Sequence, residues 1–134
     1  MIFVDTGAWG ALADGADKYH EQAVAIRKRL LSETTGWLTT NFVVAESYTL
    51  LQRKLGHAAA QQFLKTIREW ERLTCLSASR ELELQAEELL RVYADQGFSY
   101  VDSVSFAAMR QLDIEEAFAF DHHFLITGFA LASV

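Results

Sequence analysis

Ile2-Phe3-Val4-Asp5 near the start of the chain and Ala117-Phe118-Ala119-Phe120-Asp121 near its end decide how the rest is read. Each is a short apolar run, β-branched or aromatic in part, that stops at an aspartate. That is the pattern of a buried strand followed by a turn. Trp37 to Thr39 and Leu73 to Leu76 have the same character, and Leu131 to Val134 offers a last strand. Segments with helical spacing lie between these runs. Short apolar strands separated by helices predict an α/β fold, a three-layer α/β/α sandwich around a central, mainly parallel sheet. In such sheets ligands sit outside the carboxyl ends of the strands, so Asp5 and Asp121 stand where chemistry is expected.

A short helix is read near Ala8 to Ala13. Asp14-Gly15-Ala16-Asp17 makes a turn, and Asp17 caps a helix that carries Ala23, Ile26, Leu30 and Leu31 on one face. Asn41 caps a helix bearing Phe42, Val43, Leu50 and Leu51, which Gly56 stops. Further helices run from about Ala58 to Glu71 and from Ser79 to Gly97. Ser99-Tyr100-Val101-Asp102 has capping-box spacing, with Asp in the usual Glu or Gln place, and opens a helix to about Leu112. No proline, repeat or linker interrupts the chain, so residues 1–134 are read as a single domain.

The chain is 51% apolar and 22% charged, which supplies a core and argues against disorder. One cysteine, Cys75, excludes an internal disulfide and is expected as a buried thiol. The N-terminus lacks the basic start of a signal peptide. No apolar run approaches the roughly 18 residues that span a bilayer, so a cytoplasmic location without membrane contact is expected. A net charge of −6 argues mildly against a general nucleic-acid binder. It remains compatible with an acidic pocket whose charge is offset by divalent ions.

Four carboxylates are candidates for such a pocket. Asp5 and Asp121 each follow a strand, where an aspartate also serves as an ordinary helix cap. Glu46 lies mid-helix with Phe42 and Val43 before it and Leu50 after it, which predicts a place in the apolar stripe. A carboxylate there needs a cation or a salt bridge, for which Arg53 is the nearest candidate. Asp102 stands in the first turn of its helix, where the helix N-terminus favours the ionised form. Together the four offer an all-oxygen donor set of the kind hard divalent cations require, and no cysteine–histidine pattern suggests zinc.

At these residues the chain resembles a known family. The segments are Ile2-Phe3-Val4-Asp5-Thr6, Thr40-Asn41-Phe42-Val43-Val44-Ala45-Glu46, Phe98-Ser99-Tyr100-Val101-Asp102-Ser103 and Ala119-Phe120-Asp121-His122-His123-Phe124. Asp17-Lys18-Tyr19-His20 also looks like a loop of that family. In this order, over nearly the whole chain, they resemble the PIN-domain family and, within it, the VapC-like toxins of toxin–antitoxin pairs. The resemblance implies a PIN-like sandwich and Mg²⁺-dependent RNA cleavage, with Mn²⁺ as a substitute. It carries the catalytic and metal-binding roles onto Asp5, Glu46, Asp102 and Asp121, with Thr6 and Ser105 as supporting residues. It further implies an RNA substrate, a cognate antitoxin protein and a homodimer.

The expected reaction is attack by water on an RNA phosphodiester, since no side chain is an obvious nucleophile. Asp5 and Asp102 would hold the main ion, with Glu46 and Asp121 completing the pocket around one or two metals. Arg53, Lys54 and His57 are read first as a solvated helix end and second as contacts to the RNA backbone. Adjacent His122 and His123 are not expected to converge on one ion, and at least one should be exposed. His20 is expected to pack or cap. Trp9, Trp37 and Trp70 are read as core or interface residues. Of two rival readings, Gly7 argues against the first, and the second is kept as the alternative. A haloacid-dehalogenase-like phosphatase needs a second aspartate where Gly7 stands. A catalytically silent PIN-like module would bind RNA or protein without cutting.

Overall fold

A computed structural model describes residues 1–33 and 36–134. In chain order its elements are β1 (Ile2–Val4), α1 (Thr6–Ala13), α2 (His20–Glu33), β2 (Trp37–Thr40), α3 (Asn41–Leu55) and α4 (His57–Glu69). There follow β3 (Leu73–Leu76), α5 (Arg80–Val92), α6 (Tyr100–Gln111), β4 (Glu116–Phe118), α7 (His123–Ile126) and β5 (Ala130–Leu131). The strands form one sheet in the order β3-β2-β1-β4-β5, and every pairing is parallel.

The central strand is the most apolar: Ile2, Phe3 and Val4 are all buried, and Phe3 lies opposite Leu38 on one side and Ala117 on the other. From β1 the chain steps outward to β2 and β3, and right-handed crossovers put α1 to α4 on one face. It then returns past β1 to β4, which places the packed pair α5 and α6 on the other face. Phe106, Phe118, Phe124 and Trp37 fill the space between sheet and helices.

Several elements differ in detail from the sequence expectation, each for a local reason. Helix α1 starts at Thr6 rather than Ala8 because Asp5 already occupies the N-cap. Asp17 does not cap α2. Its carboxylate accepts the Tyr19 amide at 2.8 Å and closes a turn ahead of the helix. Leu31 is exposed, while Ala23, Ile26 and Leu30 face the core. Thr40, not Asn41, caps α3, its hydroxyl accepting the Val43 amide at 3.2 Å. The Asn41 side chain instead accepts the Ala78 amide at 2.9 Å. Gly56, at φ +96°, joins α3 directly to α4 in a conformation that side-chain-bearing residues rarely adopt.

Helix α5 ends at Val92, short of Gly97. Strand β4 stops at Phe118, two residues earlier than expected, and β5 is Ala130–Leu131 rather than Leu131–Val134. Cys75 is only half-buried, because β3 is an edge strand with one side open.

Candidate functional site

The chain steps from β1 to one neighbour and returns later to the other, so a crevice opens beyond the carboxyl ends of β1 and β4. The Asp5 amide donates to the Phe118 carbonyl at 3.0 Å and ties the two strand ends together. The Thr39 hydroxyl donates to the Val4 carbonyl at 3.0 Å and fixes β2 against the same spot.

Asp5 takes the N-cap position of α1 in extended geometry but makes no side-chain capping bond. It is only 6% exposed, and its Oδ1 has no hydrogen-bond partner. The ordinary helix-cap explanation therefore fails. Burial pushes its carboxyl up to about 7; Asp102 adds to this, Glu46 and Asp121 add less, and the Thr6 amide opposes it. The field of three further acids at one buried carboxyl means that the structure brings all four expected residues together.

Asp102 is the third residue of α6. Its carboxylate accepts the Ser99 amide at 3.3 Å while the Ser99 hydroxyl accepts the Asp102 amide at 3.0 Å, the reciprocal pair expected from the sequence. Helix α6 runs back toward the start of β4, so its N-terminus, and Asp102 with it, lies at the crevice. Asp121 lies three residues past β4. Its Oδ1 accepts the His123 amide at 2.9 Å and so turns the chain into α7.

Glu46 departs from the expectation. It is exposed, because the inward face of α3 is Val43, Val44, Ser47 and Leu51, and position 46 is rotated about 100° from Ser47. It makes no ion pair with Arg53 among the described residues. It is still close enough to act on Asp5.

Thr6 is buried beside Asp5 with an unpartnered hydroxyl. The Ser105 hydroxyl is turned back on its own helix, donating to the Val101 carbonyl at 3.0 Å. Ser103, next to Asp102, is instead the α6 serine with a buried, unpartnered hydroxyl. Arg53 and Lys54 occupy the last turn of α3, and Arg53 lies about 10 Å along the helix from Glu46. His20 donates from Nδ1 to the Ala11 carbonyl at 2.7 Å and holds α2 against α1. Trp9 and Trp37 are core residues, and Trp70 packs on Trp37 at 4.9 Å.

His123 is the member of the site that sequence reasoning missed. Its neighbour His122 is exposed, but the His123 side chain is 18% exposed, with Nδ1 at 3.4 Å from both Asp102 and Asp121. Phe98 packs edge-on against its ring at 4.9 Å. The signal was Asp121 itself. An aspartate that accepts the amide two residues on folds residue 123 back over its own carboxylate.

The sequence pattern of the PIN domain matches residues 2–130. The chain is 41% identical to the 23S rRNA-specific endonuclease VapC20 of Mycobacterium tuberculosis, over 96% of this chain and 95% of that protein. The crystal structure of Mycobacterium tuberculosis VapC20, a toxin that cleaves the sarcin-ricin loop, superposes with a TM-score of 0.90 at 37% identity, covering 100% of both chains. FitAcB from Neisseria gonorrhoeae superposes with a TM-score of 0.68 at 15% identity over 99% of this chain and 97% of that one, which is a likeness of fold.

Proposed function

The chain belongs to the PIN-domain family, and on that premise we propose that it is a Mg²⁺-dependent ribonuclease, the toxin of a toxin–antitoxin pair, acting in the cytoplasm. The observation that carries this reading is Asp5. A buried carboxyl with an orphaned oxygen, facing three more acids, is costly without a cation and favourable with one. The donor set fits: four carboxylates suit Mg²⁺, and Mn²⁺ tolerates the same oxygens with the His123 nitrogen alongside.

Asp5 and Asp102 would hold the main ion, and Glu46 and Asp121 would complete the pocket. Bound Mg²⁺ supplies a water of lowered pKa and neutralises charge developing on the phosphate. The chain's own residues do the rest. The capping box fixes Asp102, and the turn through the His123 amide fixes Asp121. The β1–β4 tie fixes the backbone at Asp5. Glu46, exposed and close enough to act on Asp5, would join the pocket directly or through a bound water.

The VapC20 relative acts on 23S rRNA, so ribosomal RNA is the first substrate to try. An apolar groove of about 790 Å³ along α1, α2 and α4, lined by Trp9, Leu31, Phe63 and Trp70 among others, gives a partner protein such as an antitoxin a surface to cover. A homodimer is the expected assembly. The test incubates the protein with ribosomal RNA in Mg²⁺ or excess chelator, with Asp5→Asn in parallel. Cleavage that needs the metal and disappears in the variant supports the assignment. Equal cleavage by the variant removes the site. Folded protein that binds RNA but never cuts it makes this a silent binding module.

A further inference from the structure

We propose that Lys18, Tyr19 and Phe120 form a stacking step beside the acid pocket that takes an unpaired nucleobase of the RNA next to the scissile phosphate. The proposal rests on the ribonuclease reading above and extends it to the form of RNA accepted.

The Tyr19 and Phe120 rings are stacked at 4.5 Å and within 1° of parallel. Lys18 Nζ sits 5.0 Å from the centre of the Tyr19 ring. Both rings are partly exposed and Lys18 is exposed, so the step is open to solvent. It also adjoins the chemistry. Phe120 is one peptide unit, about 3.8 Å between Cα atoms, from Asp121. It also lies within 3.9 Å of where a side chain on Gly7 would begin, two residues beyond Asp5.

The step is built in advance. The Asp17 carboxylate accepts the Tyr19 amide at 2.8 Å, and His20 is bonded to the Ala11 carbonyl at 2.7 Å, so both ends of the short loop are pinned. Phe120 covers one face of Tyr19. The flexible Lys18 ammonium lies over the ring at 5.0 Å, and a base can displace it toward a phosphate. Base–aromatic stacking of this kind is tolerant of sequence because every base has a π-face.

A second aromatic pair, Phe42 and Tyr100, packs at 5.6 Å on the other flank. The Tyr100 hydroxyl donates to Glu87 at 3.0 Å and to Glu83 at 3.2 Å, so that flank carries two carboxylates and repels phosphates. The Tyr19 flank carries the Lys18 ammonium over the ring, with the Asp17 carboxylate turned to the backbone, where it accepts the Tyr19 amide at 2.8 Å. A base inside an A-form helix has no free face to offer, so the substrate presents a loop or a single strand at this position.

The test uses short single-stranded RNAs with 2-aminopurine at one position at a time, mixed with the full-length protein in Ca²⁺. Fluorescence of the wild type should be quenched at one position. Tyr19→Phe should keep that quenching, and Tyr19→Leu, which keeps an apolar cover for the core, should lose it. Lys18→Glu should weaken binding about tenfold and flatten its salt dependence by about one charge. In Mg²⁺, Tyr19→Leu should raise KM about tenfold while kcat stays within about twofold. Thermal melts establish that each variant is folded; should Tyr19→Leu fail to fold, the Lys18→Glu result decides. Absence of quenching in the wild type, quenching unchanged in Tyr19→Leu, or binding unchanged in Lys18→Glu each overturns the proposal. A wild type that quenches but cuts no RNA keeps the stacking step and removes the nuclease reading. One that cuts normally with Tyr19→Leu unaffected does the reverse.

Discussion

Asp5 is an acid held where the rest of the chain offers its Oδ1 no partner, and two opposite consequences follow. Its carboxyl titrates near 7 when folded and near 3.8 when unfolded. Between those values the folded, metal-free protein binds one more proton than the unfolded chain, so stability falls as pH rises through the window. The stabilisation, about 4 kcal/mol, is fully present below 3.8 and lost above 7. Asp5→Asn should therefore raise the melting temperature of the metal-free protein by at least about 5 °C at pH 8, with no gain at pH 4. The same variant should lose RNA cleavage by at least about a hundredfold, measured as kcat/KM, because several kcal/mol of charge stabilisation leave with the cation. Exposed Glu46 behaves differently. Glu46→Gln should lower cleavage while leaving stability within about 0.5 kcal/mol, as read by urea titration. Asp5, Asp102 and Asp121 were legible from their places after strands and at a helix start. Glu46 was found for a reason that does not hold, since Phe42 and Leu50 are themselves only half-buried and the stripe runs through Ser47. His123 was not legible because it depends on a turn that forms only when the Asp121 carboxylate accepts its amide.

Among the elements, α6 does two jobs with one terminus. Its capping box satisfies backbone donors and at the same time aims the Asp102 carboxylate. Ser99→Ala should cost about 1 kcal/mol in a denaturant melt and also weaken Mg²⁺ binding, observed by calorimetry. A cap that only stabilised the helix would change the first quantity alone. This box was readable because its spacing is local. The strand ends were less so. Ala119 and Phe120 look like strand, yet β4 leaves the ladder at Phe118 so that Asp121 can turn the chain into α7. The Asp121 carboxylate makes that turn locally, and Phe106 against Phe124 at 4.9 Å then holds α7 in place. The edge position of β3 was equally hidden, because strand order is not written in any one strand.

At the scale of the molecule, the alternation of strands and helices was enough to give the parallel sandwich, and the resemblance in four ordered segments gave the family. The pocket belongs to the whole chain, with one carboxylate each from the β1–α1 junction, α3, α6 and the β4–α7 turn. A cation that binds only the folded state stabilises it by mass action, so Mg²⁺ should raise the melting temperature of the wild type and not of Asp5→Asn. The strand order has a further result for how the protein comes into being. β1 is the middle of the sheet, and one of its two neighbours is β4, more than a hundred residues later in the chain, with Ala117 opposite Phe3. Closing so large a loop is slow, and it must precede any reward from the contact. A chain still on the ribosome thus has Asp5 with no Asp121 to face it. The acid pocket is therefore incomplete, and the proposed cleavage silent, until the late strand β4 has docked on β1.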